Sequence, residues 1–576
     1  MVSDSGRFHL LEVGLTTPVE SFIGWKLEGL ARRGVRVSAS ATPSQGGEAS
    51  LAGVEWIGAP RWDEAGVRFL VGLIRDLAGG TVRVALRSPS RLWATIRAAC
   101  NPIRDVGGRS LLQLALRLRS YLPLALVRPD VVHFEWNMAA IHHLPMAEVW
   151  RCPTVVSCHG SDVNLRPHAA DGEPYSRWLR ESFERVSAAH CVSEAIAARA
   201  VELGMSPRRA WLIRSAVDPD FFRPADRRAR TVRAADATAL RVITVADFRW
   251  LKAHEHSVRA IACLTREGVA VTLEIVGTWD LGADSDRERV ERAIARESVG
   301  ERVSLIGAVS SAHVRERLQA ADVLLHSSLT EGLPTAVLEA MACGLPVVVS
   351  DCGGVREAVR DGIDGFVVPV RGVSEAADAL RRLHREPSLR ATMGQAGRKR
   401  VEAHFSLAAQ LESFITMYEA VLRGEVRSSM PPAVADAQLR VLSAGPLSWR
   451  QGFDDAMHAV RIVREAGIDC RQRILGDGPY LNALRFVRHQ LELEPYVELR
   501  TERRVDWGRQ LEWADVIVDA SLADPPPDEV RASRTGGLEL IRIQADPDAL
   551  AQRLISIAAA RGLVKPEARA TASTAA

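Results

Sequence analysis

Short apolar runs that alternate with amphipathic helical stretches constrain this chain more than any other feature. Phe8–Gly14 is an apolar run ending in glycine, Phe22–Arg33 carries helical spacing and stops at Gly34, and Val35–Val37 begins a second apolar run. Strand, helix, strand in that order opens a doubly wound parallel sheet. Strand-like runs follow at Val131–Phe134 (after the Pro129–Asp130 turn), Thr154–Cys158 and Ala188–Val192, each with a helical pattern behind it. A polar, Arg-rich stretch around Arg223–Thr231 interrupts the series. It resumes with Arg241–Val245 and Thr272–Val276 and continues through Val303–Ile306, Val323–Leu325 and Val347–Val349. The pattern predicts two successive α/β lobes that face one another across a cleft. Ligands in such sheets sit beyond the carboxyl ends of the strands.

The second lobe also recurs. Arg241–Gly277 aligns without a gap on Arg440–Gly476: Trp250 falls on Trp449, Gly268 on Gly467, and Ile275-Val276-Gly277 on Ile474-Leu475-Gly476. After a shortening, Ala321-Asp322-Val323 falls on Ala514-Asp515-Val516. Matches in this order predict a partial copy of the second lobe. The expected layout is a first lobe over 1–225, a linker over 226–239 and a second lobe over 240–404. A crossover helix over 405–425, a linker over 426–438, the partial copy over 439–563 and a disordered tail over 564–576 complete it.

Composition excludes several classes. The 576 residues are 47% hydrophobic and 25% charged, and the net charge of +3 is spread along the chain, so no pull on nucleic acid is expected. The eight cysteines form no CxxC pair and no metal-like spacing; they read as buried thiols in a reducing cytosol. Met1–Leu10 lacks the apolar core of a signal peptide. No stretch approaches the roughly 18 apolar residues of a membrane span.

The densest chemical signal is Glu331-Gly332-Leu333-Pro334-Thr335-Ala336-Val337-Leu338-Glu339. Pro334 suits the first turn of a helix, where its missing N–H costs nothing. The free N–H groups and positive end of that helix suit a diphosphate. Glu339 lies two turns on, about 8–12 Å from Glu331. Two carboxylates so spaced can bracket a folded nucleotide sugar, or they are solvated positions on an ordinary amphipathic helix.

Residues 321–370, ADVLLHSSLTEGLPTAVLEAMACGLPVVVSDCGGVREAVRDGIDGFVVPV, resemble the donor-binding core of the family 4 glycosyltransferases. The resemblance implies the GT-B fold: two Rossmann-like lobes of doubly wound parallel sheet, here with a third, partial Rossmann-like domain. It implies retention of anomeric configuration, no bound metal and no cofactor beyond the nucleotide-sugar substrate. It assigns Glu331 to the donor sugar and Glu339 to the ribose hydroxyls, with Gly332, Leu333, Pro334 and Thr335 in the donor loop.

The family's usual phosphate-binding pattern, GRLxxxKG, appears here as Val245-Ala246-Asp247-Phe248-Arg249-Trp250-Leu251-Lys252-Ala253. Lys252 takes the lysine place. Asp247 stands in the arginine place, with Arg249 two residues on as the substitute cation or as a solvent-facing side chain. In TVVSCHGSD, His159 matches the family histidine near the reacting sugar; on residue type alone it is equally a structural hydrogen-bonder. Asp162 orients the loop or acceptor, or caps a helix. Gly14, with Thr16-Thr17 and Glu20-Ser21-Phe22, fills part of the family's glycine-rich first turn, while Ser193-Glu194 and Val217-Asp218 match architectural landmarks.

Arg87, Arg91, Arg97, Arg104, Arg109, Arg117, Arg119 and Arg128 stand against one acid, Asp105, with Leu, Ile and Trp93 between them. The segment is a solvated helix face or a surface for peripheral contact with an anionic membrane. The copy reads Pro446, Ser448 and Gln451 at the positions of Asp247, Arg249 and Lys252, and LADPPPDEVRASRTGGLEL after Ser521, without a Glu-x7-Glu. It is expected to be inactive.

The expected activity is transfer of a sugar from a nucleotide donor, UDP in preference to GDP, to a carbohydrate or lipid-linked acceptor. HFEWN (His133–Asn137) and SCHGSDVN resemble members that build extracellular polysaccharides. The expected location is the cytoplasm, up to the inner face of the plasma membrane. A non-catalytic pseudo-glycosyltransferase and a GT-B sugar-nucleotide epimerase are the alternatives; the pyridoxal-lysine context of a phosphorylase is not found.

Overall fold

The computed structural model describes residues 7–17, 19–43, 50–58, 66–101, 110–168, 172–225, 239–280 and 285–425 of a first compact unit, Met1–Met430. Of the second unit, Pro431–Ala576, it describes 438–445, 447, 452–466, 468–476, 478–491, 493, 495–500, 510, 513–519, 539–542 and 547–560. The expected linkers at 226–238 and 426–437, the tail at 564–576, and Arg104, Asp105, Arg109, Trp449 and Gly467 lie outside the described residues. So do Pro446, Ser448, Gln451, the 521–538 stretch and the side chains of Thr16 and Thr17.

The first unit holds two all-parallel sheets. One has strands β1 (His9–Thr17), β2 (Arg36–Pro43), β3 (Val54–Gly58), β4 (Val131–Phe134), β5 (Thr154–Cys158), β6 (Ala188–Cys191) and β7 (Ala210–Leu212), in the order β3-β2-β1-β4-β5-β6-β7. The other has β8 (Leu240–Val245), β9 (Val271–Val276), β10 (Val303–Gly307), β11 (Val323–His326), β12 (Val347–Ser350) and β13 (Gly365–Val368), in the order β10-β9-β8-β11-β12-β13. The expected strands therefore form. β3, β7 and β13 are additional; β3 and β7 are sheet-edge strands whose short, mixed sequences give no period to read. β4, β5, β6, β11 and β12 are buried at every position, which is why they read as continuous apolar runs rather than alternating ones.

The helix Leu407–Leu422, capped by Ser406, returns from the second lobe to the first. Its Leu411, Phe414, Ile415 and Tyr418 join the core around β1 and β2. Gly29 on helix α1 (Ser21–Arg32) admits it, because a Cβ there would come within 2.4 Å of the Leu411 side chain. Tyr418 begins a buried hydrogen-bond chain whose polarity can be worked out from its far end. His190 Nε2 must donate to the Ile213 carbonyl (2.8 Å). Burial lowers the His190 pKa to about 3, so the ring is neutral and Nδ1 accepts from the Ser157 hydroxyl (2.8 Å). Ser157 then accepts from His133 Nε2 (2.9 Å), and His133 Nδ1 accepts from the Tyr418 hydroxyl (2.6 Å).

Between β3 and β4 the first lobe inserts three helices: α2 (Gly66–Arg87), α3 (Pro89–Cys100) and α4 (Leu111–Leu124). Here the expectation of a uniformly exposed basic segment is corrected. Arg91 points inward and donates to the Ala125 and Val127 carbonyls, both at 2.9 Å. Arg117 donates to the Ala99 carbonyl (2.8 Å). Arg119 is buried and pairs with Asp76 at 2.9 Å. These three close helix ends and tie helices together, a use of arginine that sequence spacing does not distinguish from solvation. Arg87 and Arg128 are exposed, and Arg97 pairs with Glu148 at the surface. No described helix is long and apolar enough to cross a membrane.

The second unit carries a five-stranded parallel sheet of β14 (Gln438–Ala444), β15 (Asp469–Leu475), β16 (Val497–Arg500), β17 (Val516–Asp519) and β18 (Glu539–Arg542), in the order β16-β15-β14-β17-β18. That is the order of the second lobe without its last strand. Both sheets begin with the same lock. Asp322 Oδ2 accepts from the Arg241 backbone N–H (2.9 Å) and Nε (3.0 Å), and Asp515 Oδ2 from those of Arg440 (2.9 and 3.1 Å). A Cβ on Gly277 would lie 2.0 Å from the Ala246 carbonyl oxygen, and one on Gly476 would lie 1.9 Å from that of Gly445.

Tyr418→Phe removes the donor to His133 and leaves Nδ1 unpaired in the core. Chemical denaturation should show a loss of about 1–3 kcal/mol, with far-UV circular dichroism unchanged.

Candidate functional site

The loops that follow β5 and β11 meet at the cleft between the two lobes. Their contact is backbone on backbone: a Cβ on Gly160 would come within 2.8 Å of the Gly332 nitrogen, and one on Gly332 within 3.1 Å of the Gly160 nitrogen. Only glycines allow the approach. Asn164 Nδ2 adds a hydrogen bond to Thr330 Oγ1 (3.2 Å). His159 and Glu331, each next to one of these glycines, are thereby brought to one place.

On the second-lobe side, Glu331 is buried and its Oε1 takes two partners, Lys252 Nζ at 2.7 Å and His326 Nε2 at 2.8 Å. Burial alone would raise this carboxyl. The Lys252 ammonium and the His326 bond outweigh burial and hold it well below the usual carboxylate range. His326 ends β11 and was not anticipated; its signal is a lone polar residue closing a fully buried strand five positions before Glu331. Lys252 is placed by a tight loop. Trp250–Lys252 form a short 3₁₀ turn, and Ala253 then takes φ +47°, ψ 45° before the helix His254–Arg266 starts. A non-glycine residue there is strained, and the equivalent position of the second unit carries Gly452 at φ +60°.

The helix after the donor loop starts at Thr335, and Pro334 is its N-cap at φ −72°, ψ 115°, one residue earlier than the expected first-turn position. Its extended backbone arises because Pro334 ends the glycine-containing loop rather than beginning the helix. The Leu333 side chain is core, packed among Val337 and Leu338, so what this residue can offer a donor is its backbone. Glu339 is partly buried and its carboxyl has no hydrogen-bond partner among the described residues; burial pushes that carboxyl up to about 7. The two glutamates of one motif thus sit in opposite electrostatic states.

On the first-lobe side, His159 Nε2 donates to Glu135 Oε1 (3.1 Å). The ring lies 4.7 Å from that of Trp136 and 5.8 Å, edge on, from that of Phe22. Glu135 pairs with Lys26, whose ammonium is also 3.3 Å from Glu12. Burial drives the Glu12 carboxyl well up, while Glu135, in spite of burial, is held well down by Lys26 and His159. Glu12, His133 and Glu135 are, among the described residues, the group with metal-ligand spacing, and the Lys26 ammonium sits among them. None of these supports was anticipated, because each partner comes from a different strand or helix.

Asp162 is buried and accepts from the backbone and side chain of Asn137, both at 3.4 Å. It caps the neighbouring helix α5 (Asn137–His143) rather than its own segment. Gly14 lies inside β1 at φ +90°, where the strand register shifts, and a Cβ there would fall 2.1 Å from Ala139 Cβ. Packing explains that glycine. Arg249 and Asp247 are exposed, and both lie within electrostatic reach of Glu20 at the head of α1.

Residues 26–221 match the family model described as Glycosyltransferase Family 4, and residues 226–400 match Glycosyl transferases group 1. The chain is 29% identical over 325 residues to the D-inositol 3-phosphate glycosyltransferase of Geodermatophilus obscurus, an alignment covering 54% of this chain and 70% of that one. It is 26% identical over 282 residues to the amylovoran biosynthesis glycosyltransferase AmsK of Erwinia amylovora, covering 48% and 66%. Two solved structures share its fold. Sucrose-phosphate synthase from Thermosynechococcus elongatus aligns at TM-score 0.56 and 18% identity over 73% of this chain and 100% of that one. HepE from Anabaena, solved with UDP and glucose, aligns at TM-score 0.53 and 15% identity over 72% and 100%.

A carboxyl whose folded pKa is raised makes the fold lose stability as pH climbs from the unfolded value through the folded one. Glu339→Gln should therefore gain in melting temperature over the native chain between about pH 4.5 and pH 7, with a constant margin above. Thermal melts across that range check it, and equal curves at pH 8 would contradict a strained Glu339.

Proposed function

We propose that this chain, which belongs to the family 4 glycosyltransferases and is a hexosyltransferase-type enzyme using a nucleotide-sugar donor, transfers the sugar with retention and without a bound metal. The observation that carries this reading is the ionised Glu331, held by Lys252 and His326 in a loop that abuts the His159 loop. The acceptor hydroxyl attacks the anomeric carbon on the face from which the diphosphate departs, and its proton passes to the departing phosphate oxygen as the bond from that oxygen to the anomeric carbon breaks. Positive charge develops at the anomeric carbon and ring oxygen, and the Glu331 carboxylate offsets it. The departing diphosphate is neutralised by Lys252, with Arg249 as the second cation and the N–H groups at the head of the Thr335 helix as further donors. His159, with Nε2 committed to Glu135, offers Nδ1 to the sugar or the leaving phosphate. Glu339 accepts from the ribose diol, which favours its ionised form. Gly14 and Asp162 act through the shape of the loops around the donor.

UDP is the preferred donor base in this reading, supported by the UDP bound to HepE, a protein of the same fold. The acceptor is a carbohydrate or a lipid-linked saccharide, and the product a cell-surface polysaccharide or lipid-linked oligosaccharide; the activity in AmsK's name supports this. The enzyme works in the cytoplasm with its first lobe at the inner membrane face.

Calorimetry with UDP- and GDP-sugars in EDTA tests the site. One donor should bind the native chain, and Glu339→Ala should weaken it at least about tenfold through loss of the charged acceptor of the diol. Lys252→Met and Glu331→Gln should lower transfer by about 100-fold or more. Unchanged donor binding in Glu339→Ala would remove the assignment. Inactivation by EDTA, or an inverted anomer in the product's NMR spectrum, would remove the mechanism.

A further inference from the structure

The three-helix insertion of the first lobe has a second apolar face that nothing in the fold requires. Helix α2 buries Leu73 and Val84 against the lobe, with Gly80 pressed to Leu122. On its outer side Leu70, Ile74, Val82 and Leu86 stand exposed along one four-residue ridge, completed by Ala78. Leu86 is 82% exposed, Trp93 on α3 72%, and Leu111 at the start of α4 86%. Of the twelve large apolar side chains exposed among the described residues, eight lie on these three helices. A fold that buries its other leucines and valines this thoroughly does not leave such a cluster in water without use.

Charge identifies what covers it. Residues 66–124 contain ten arginines, no lysine or glutamate and two aspartates, Asp76 and Asp105. Three of the arginines are spent inside the lobe (Arg91, Arg117, Arg119), and Asp76 is paired with Arg75 and Arg119. Arg83 and Arg87, on the row beside the apolar ridge, are exposed with no carboxylate partner among the described residues. A protein partner would have to supply matching acids around a flat apolar strip. An anionic bilayer supplies both at once, acyl chains beneath the ridge and lipid phosphates beside it. We infer that the outer side of helix α2 is a membrane-docking face that lies in the plane of an anionic leaflet. The inference rests on the lipid-linked acceptor reading for its purpose, and on Leu70–Arg87 rather than the Arg87–Arg128 segment for its location.

The test is co-sedimentation of the full chain with vesicles of phosphatidylcholine alone or mixed with phosphatidylglycerol, at low and raised salt. The native chain should bind the mixed vesicles, bind phosphatidylcholine weakly, and release with salt. Ile74→Asp/Leu86→Asp should lose about tenfold or more in partitioning. Arg83→Glu/Arg87→Glu should lose a similar factor on anionic vesicles only. All four positions are exposed, so melting temperature and UDP-sugar binding should match the native chain. That donor-binding arm separates the two claims: normal donor binding with no vesicle binding overturns the docking face alone, while lost donor binding in the native chain overturns the enzymatic reading alone. Equal partitioning of both variants and the native chain overturns the proposal. So does light scattering that shows a native dimer dispersed by Ile74→Asp/Leu86→Asp, since the ridge would then be covered by a second copy.

Discussion

The reactive side of the first lobe depends on one buried ammonium. Lys26 reaches up from α1 between Glu12 on β1 and Glu135 just past β4. Two carboxylates in a dry interior beside a single cation push one another's pKa values apart. Burial drives the Glu12 carboxyl up, Lys26 and His159 hold that of Glu135 down, and Glu135 is the member in contact with His159. The orientation of the histidine at the cleft is therefore held by Glu135, which is itself held by a buried lysine from another element. The same layer is sealed from behind by the Tyr418–His133–Ser157–His190 chain. The last helix of the first unit thus stabilises the floor beneath the site as well as joining the lobes.

The second lobe solves the complementary problem. It must keep one glutamate ionised and leave another ready to become so. Glu331, in the loop, has two hydrogen-bonded cationic or polar partners and stays charged; Glu339, eight positions later on the helix that follows, has none and is pushed towards neutrality. The contrast arises from Lys252 and His326, which converge on the loop but not on the helix. A ligand that donates to Glu339 supplies what the protein withholds, so binding and ionisation at that carboxyl are coupled by construction.

Much of this frame was legible in the sequence because it follows local rules. The strand runs, the helix stop at Gly34, the Glu331–Glu339 motif and the Lys252 loop all depend on near neighbours in the chain. What was not legible depends on contacts between distant elements. Glu135 and Lys26 are 109 residues apart in the chain, and no spacing shows that they pair. The arginines after Arg87 read as one surface, whereas Arg91, Arg117 and Arg119 turn inward onto carbonyls or an aspartate. Residue type names the donor; only packing says whether its acceptor is water, backbone or lipid. Leu333 misleads in the opposite sense, since it stands inside a donor motif yet spends its side chain on the core.

The second unit separates frame from chemistry. Arg440–Asp515 repeats the Arg241–Asp322 lock, and Gly476 repeats the glycine that lets a strand end pass a carbonyl. These positions serve the sheet itself. Where the second lobe bends the loop before its first helix through a strained Ala253, the second unit uses Gly452, which relaxes that bend. A glycine adopts this left-handed backbone without the strain that an alanine carries. Gln451 also stands where the second lobe has Lys252. The lock, which depends on the sheet alone, is common to both sheets, while the loop after the first strand differs between them in residue type and in backbone strain.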